Sequence, residues 1–195
     1  MEANDPTHAL FSAEGSLVGI VFPDHYPETA DLRPLPEDYW TRGFYRWDGE
    51  AFVDDLEAAQ TVKWDEVKAH REALETGIAP LAAPLGPVQI DEKSKMKITA
   101  LHTLAIAAAA MEEALGPNSE PIFLEEFTLA DNRVVTLTSS LALVLGMSVA
   151  GYVSRVFAAG RALRDQIYAE DATVASVLAI DVEAAFAAAL ASGEG

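Results

Sequence analysis

The residue types that carry most enzyme chemistry are present but scattered. His8, His25, His70 and His102 lie far apart, and no two stand four residues apart as the paired histidines of a helical zinc site do. The chain has no cysteine, which excludes disulfides, thiolate metal ligands and a cysteine nucleophile. No serine occupies a nucleophile elbow, no glycine-rich loop leads into a phosphate-binding lysine, and no dinucleotide fingerprint occurs. The carboxylate pairs Asp54-Asp55, Glu112-Glu113 and Glu125-Glu126 could serve acid–base chemistry on a glycan. Neighbouring residues on a helix or strand diverge, however, which favours solvated charge. The sequence therefore predicts no catalytic residue, no metal and no cofactor. His70 reads as a solvated helix residue and His102 as a surface or boundary residue.

Aromatic side chains are the stronger signal, because ten of the sixteen fall within the first 64 residues and so mark where the chain changes character. Tyr39, Trp40, Tyr45 and Trp47 could stack on a sugar or anchor a protein partner. The competing role is core, since a small sheet needs large side chains to exclude water. Trp64 shares a helical face with Val67, Arg71 and Leu74 just after an acidic segment, a placement suited to a joint between two regions.

Among the elements that must hold these residues, those of the first region read as strands and turns. Ala9–Phe11 and Leu17–Phe22 flank Glu14-Gly15, and Phe44–Trp47 and Glu50–Val53 flank Asp48-Gly49, an Asp-Gly signal for a two-residue type I′ hairpin. Pro23, Pro27, Pro34 and Pro36 make the stretch between them a wrapping loop with room for a short edge strand. From Val62 to Thr76 the pattern turns helical, with Gly77 at the cap position. Val88–Ile90 is a short strand. Asp91 then caps a helix whose apolar face is read as Met96, Ile98, Leu101, Leu104 and Ile106, ended by Gly116-Pro117-Asn118. Ile122–Leu129 and Arg133–Leu137 form a hairpin around Ala130-Asp131-Asn132, and Thr138 caps a helix that can reach Tyr168.

That last helix places Leu141, Leu145, Val149, Tyr152, Val156, Gly160, Leu163 and Ile167 along one stripe, although Gly146 and Gly151 are positions where it could break. Thr173–Ala191 adds one or two short helices bearing Val177, Ile180, Val182, Phe186 and Leu190. The fold class expected is α+β: a small antiparallel region over residues 1–60 and a mostly helical domain with one hairpin over 61–195, the boundary falling near 57–62.

The motifs from Trp64-Asp65-Glu66-Val67 through Val88-Gln89-Ile90-Asp91-Glu92-Lys93-Ser94-Lys95, Val134-Val135-Thr136-Leu137-Thr138 and Tyr152-Val153 to Arg161-Ala162-Leu163-Arg164-Asp165-Gln166-Ile167 follow one another in a distinctive order. The series, over roughly residues 62–185, resembles an uncharacterised domain of tailed-bacteriophage and prophage proteins associated with tail fibres and their assembly. The resemblance implies a non-enzymatic structural or assembly protein, made in the host cytoplasm and placed in the virion tail, with tail-fibre or baseplate chains as partners. It supplies no catalytic residue. A tail-fibre assembly chaperone absent from the mature virion, and a receptor- or glycan-binding module using the N-terminal aromatics, are the alternatives.

Charge narrows the partners further. With 31 acidic and 13 basic side chains the net charge is −18, which is opposed to nucleic acid and to anionic membrane surfaces. The N-terminus lacks the cationic start of a secretory signal, and the longest apolar run, Leu104–Met111, is too short for a membrane span. The stripe through Leu145, Tyr152 and Val156 runs for about eight turns at 3.6 residues each, more than the neighbouring elements are expected to cover. It therefore predicts a homo-oligomer, a trimer by analogy with tail fibres, or a stable complex through these helix-packing residues.

Overall fold

The computed structural model describes residues 5–27, 29–116 and 120–191. The fold is α+β, with small antiparallel sheets first and long helices after them. The chain divides into two compact units: the residues up to Lys63 together with Ile167–Ile180, and Trp64–Gln166 together with the residues from Asp181 onward.

In the first unit β1 (His8–Phe11) lies between β2 (Leu17–Val21) and β3 (Asp31–Pro34), antiparallel to both. Ala9 and Phe11 are buried while His8 and Leu10 are less so, the period-two alternation of a half-covered sheet. Pro34 sits on the edge strand, where a missing N–H costs no central ladder bond. A four-residue helix inside the proline-rich stretch, α1 (Tyr39–Arg42), is not signalled by the sequence pattern; it stops at Gly43, whose φ of 74° is left-handed.

The next hairpin, β4 (Tyr45–Trp47) with β5 (Phe52–Asp54), forms in a register other than the expected one. A two-residue Asp48-Gly49 turn would pair Trp47 with Glu50, whereas Trp47 pairs with Phe52. The slip of two residues preserves every face and sets the Trp47 and Phe52 rings 5.3 Å apart, a cross-strand pair Glu50 could not make. The Asp48 carboxylate holds the enlarged turn by accepting the N–H groups of Glu50 and Ala51 at 2.9 and 2.8 Å.

Helix α2 (Leu56–Thr76) begins before the expected Val62, because Asp55 caps it by accepting the Ala58 N–H at 3.0 Å. Next, β6 (Ile78–Pro80) pairs antiparallel with β7 (Pro87–Gln89), a hairpin beyond the single one expected in this region. Asp91 accepts the Ser94 N–H at 2.8 Å and starts α3 (Glu92–Leu115) as expected, with Gly116 at its C-cap; Pro117 and Asn118 lie outside the described residues. Strands β8 (Leu124–Thr128) and β9 (Val134–Thr138) form the expected hairpin, Asn132 taking the positive φ of the turn. Helix α4 (Ser139–Ile167) runs unbroken through Gly146 and Gly151. Two short helices follow, α5 (Val174–Leu178) and α6 (Val182–Ala191).

The inward face of α3 differs from the expected one. Ile98, Leu101, Ala105 and Ala108 are buried at i, i+3, i+7 and i+10, whereas Met96 (69% exposed), Leu104 (59%) and Ile106 face outward. Alanines serve as the inward residues because they permit close approach, so residue size misleads a reading that seeks the largest apolar side chains. On α4 the stripe stands: Leu145, Val149, Tyr152, Val156, Leu163 and Ile167 are all buried. They are buried by this one chain, which corrects the expectation that the stripe exceeds its cover.

By length and composition alone α3 and α4 could each cross a membrane, which a search for one uninterrupted apolar run overlooks. The same profile belongs to the central helix of a bundle, and α4 places its apolar stripe in the core. The contact between the two helices is close at Gly146. A Cβ there would stand 2.3 Å from His102 Nδ1 and 2.9 Å from His102 Cβ, so the root of the side chain as well as its tip blocks any larger residue.

Gly146→Ala should accordingly destabilise the chain by about 1–3 kcal/mol, overpacking outweighing the roughly 1 kcal/mol gained in helix propensity. Urea unfolding measures this, and adding His102→Ala, which removes the ring but keeps the Cβ, should recover part of the loss. A Gly146→Ala chain more stable than the parent would show that the helices leave room at this level.

Candidate functional site

The N-terminal aromatics assemble within the first unit. Trp47 lies 4.5 Å from the Phe11 ring and 5.3 Å from that of Phe52; Tyr39 stacks on Tyr45 at 5.9 Å and meets Trp40 edge-on at 5.2 Å. Tyr39, Tyr45 and Trp47 are half-buried, and Trp40 is 45% exposed with its indole N–H donating to the Pro6 carbonyl at 2.8 Å. The cluster thus has a packed side and an open one.

Two arginines organise it. Arg33, held by Asp31 at 3.2 Å, lies over both Phe11 (4.5 Å) and Trp47 (4.8 Å). Arg42 reaches Asp54 and lies over the Tyr45 ring at 5.3 Å. Tyr45 donates its phenol hydrogen to Asp38, and that bond pushes the phenol above its ordinary range, with Arg42 opposing. Cation–π contacts of this kind contribute about 0.5–2 kcal/mol each. Sequence pattern did not single out Arg33 or Arg42, since neither sits in a motif and most of their partners come from other elements.

Two grooves flank Pro34-Leu35-Pro36. One, of 330 Å³, is lined by Arg33, Trp47, Glu50 and Phe52; the other, of 190 Å³, by Pro6, His8, Glu37 and Trp40. They expose ring faces, proline edges and a few hydrogen-bonding groups, which is the chemistry of stacking and peptide recognition. Both lie at or below the low end of the roughly 300–1,000 Å³ of a small-molecule pocket.

The other sequence candidates fall elsewhere. Trp64 is half-buried at the start of the second unit, and Val67 rather than the indole is the fully buried residue of that helical face. Leu145, Tyr152 and Val156 are core. His70 is not a solvated residue: its ring packs 5.0 Å from that of Phe186. His102 is a boundary residue whose Nδ1 is sealed without a partner. Among the described residues no group of three or more His, Asp or Glu could hold a metal ion.

The acidic pairs divide between structural contacts and solvated strand positions. Asp54 holds Arg42 while Asp55 caps α2, and Glu125 and Glu126 are successive strand residues that point to opposite faces. Glu112 accepts the Ser139 hydroxyl and the N–H groups of Ile122 (2.8 Å) and Phe123 (3.4 Å), tying the end of α3 to the approach of β8 and the first turn of α4. The Ser139 bond first, then the Ile122 N–H, hold this carboxyl below its usual range.

A family model described as a domain of unknown function, DUF4376, matches residues 58–189. That is more than half of the chain, and the chain belongs to this family. No curated protein and no solved structure matches it. The aromatic grooves lie outside the matched segment.

Trp47→Ala should lower the unfolding free energy by about 2–4 kcal/mol and Trp40→Ala by about 1 kcal/mol or less, since only the former empties a packed site; equal losses in urea unfolding would contradict the packed and open sides. Glu112 is tested through pH. A carboxyl held low in the folded state stabilises above its unfolded value, near 4.5, and loses that contribution as pH falls through the folded value. Between pH 7 and pH 3 the parent should therefore lose more stability than Glu112→Gln, and parallel pH curves for the two chains would count against the bracing role.

Proposed function

We propose that the chain works by holding other proteins and catalyses nothing, and that it is a tail-fibre- or baseplate-associated component of a bacteriophage virion. The observation that carries the binding reading is the open side of the aromatic cluster: Trp40, almost half exposed, stands beside a proline-lined groove in a unit that begins outside the family match. Exposed tryptophan next to fixed backbone is the composition of interface hot spots. The tail assignment rests on the motif resemblance over residues 62–185. No nucleic acid, membrane span or cofactor enters the proposal, and the net charge of −18 supports leaving nucleic acid out.

Self-association belongs to the proposal in altered form. With the α4 stripe enclosed, α3 offers an apolar surface to a second copy, with Met96, Leu104, Met111 and Leu115 exposed. An apolar interface between chains this acidic strengthens as salt screens their repulsion, and one built on ion pairs weakens.

Mass spectrometry of purified virions provides the test. The expected result is the chain at a fixed ratio to tail-fibre or baseplate proteins. Its absence from virions that need it to form would assign the chaperone role instead, and glycan binding abolished by Trp40→Ala would assign receptor recognition. In sedimentation of the isolated chain the oligomer should grow between about 0.05 and 0.5 M salt, ionic strengths over which the screening length falls from about 14 to about 4 Å; a monomer at both would remove self-association.

A further inference from the structure

We propose that the second unit carries a binding pocket for an oxyanion, a carboxylate or phosphate group of a ligand, centred on Arg155. Neither the tail reading nor the aromatic grooves bear on it. Ser148, Gly151 and Arg155 follow one another on α4 at i, i+3 and i+7 and so share a face. Gly151 leaves the floor between the other two open: the nearest atom to the place its Cβ would take is Arg155 Nη1, at 3.7 Å. Pro80, Leu81, Ala82 and Met147 complete the lining, and this open cavity measures about 610 Å³. Among the described residues no carboxylate lines it.

The other half-buried arginines are treated differently. Arg33 has Asp31 and the rings of Phe11 and Trp47; Arg42 has Asp54 and Tyr45; Arg71 has Glu75 at 3.1 Å and Phe157 at 5.1 Å. Each is matched by a carboxylate and an aromatic ring. Arg155, in a chain with 31 acidic side chains, has neither among the described residues. Its Nε is sealed from solvent without an acceptor, so the inner end of the guanidinium is fixed by packing while its outer end borders the cavity. A guanidinium fork held in place, with a serine hydroxyl two turns away on the same face, is the donor set that oxyanions match.

The test is nitrogen-15 NMR of the full chain titrated with sodium acetate and, separately, with inorganic phosphate, each against sodium chloride at matched ionic strength. The backbone amides of Ser148 and Gly151 should shift saturably, and Arg155→Gln should weaken the affinity at least tenfold. Gly151→Leu, which fills the floor and keeps the charge, should weaken it similarly; it decides the matter if Arg155→Gln fails to give a dispersed spectrum. Saturation by acetate alone assigns a carboxylate ligand, by phosphate alone a phosphate ligand, and by both an oxyanion site open to either. Shifts that stay linear for both anions, or an affinity unchanged in the variants, overturn the proposal.

Discussion

The second unit depends on how closely α4 lets its neighbours approach. A 29-residue helix with a single apolar stripe is stable only if that stripe is covered, and coverage requires helices near enough for short side chains to touch. Gly146 and Gly160 provide the approach at two levels. At the first, the His102 ring of α3 occupies the space a side chain would fill; at the second, Arg71 of α2 and Phe186 of α6 stand 3.4 and 3.8 Å from where a Cβ would be. Each glycine costs about 1 kcal/mol of helix propensity relative to alanine, a loss offset when Leu145, Val149, Tyr152, Val156 and Leu163 become enclosed. Enclosure has a functional consequence. The stripe that looked most like an oligomer seam is used up inside one chain, and surface for partners must be sought elsewhere.

What the sequence made legible follows from which physical signals are local. The caps Asp91 and Thr138, the turn at Asp131-Asn132 and the 3-and-4 spacing of α4 are readable because each depends on residues within a turn or two of one another. The misses share the opposite property. The β4–β5 register was decided by a ring–ring contact across the hairpin rather than by the Asp-Gly dipeptide, and the inward face of α3 by how near another helix comes. His70 looked solvated because its partner, Phe186, lies more than a hundred residues away in the chain. For the candidate site, the aromatic residues were visible in the composition, but Arg33 and Arg42, which fix their geometry, were not.

Arginine is the recurring device by which this acidic chain orders its surface. Half-buried guanidinium groups can serve a carboxylate in the plane and a ring over the face at once, so a single side chain ties two kinds of neighbour. In the first unit this converts five short strands and a helix of four residues into a fixed arrangement of rings, which sheets of that size could not achieve through their own hydrogen bonds. Ring faces held in this way lose little side-chain entropy when a partner covers them, the condition under which a small aromatic patch binds well.

The first unit is nonetheless not complete in its N-terminal residues. The first turns of α2 are fixed to the returning segment by Gln60, whose amide donates to the Ile167 carbonyl at 2.9 Å, and by Lys63, whose amine donates to the Ile180 carbonyl at 3.1 Å. Ile167 ends α4, so its carbonyl is one of the helix-end groups left without an intrahelical partner, and Ile180 lies in the link between α5 and α6. Lys63 is also buried, and removing it would leave a sequestered carbonyl unanswered as well as a space. Val174 and Val177 bury the apolar side of the same return. The aromatic unit is therefore closed by residues that lie inside the DUF4376 match, although all the strands that carry its rings precede that match. A family segment built in this way supplies a clasp for the N-terminal unit as well as a helical core, so substitutions that reshape the ring faces and grooves before residue 58 leave the clasp at Ile167 and Ile180 in place.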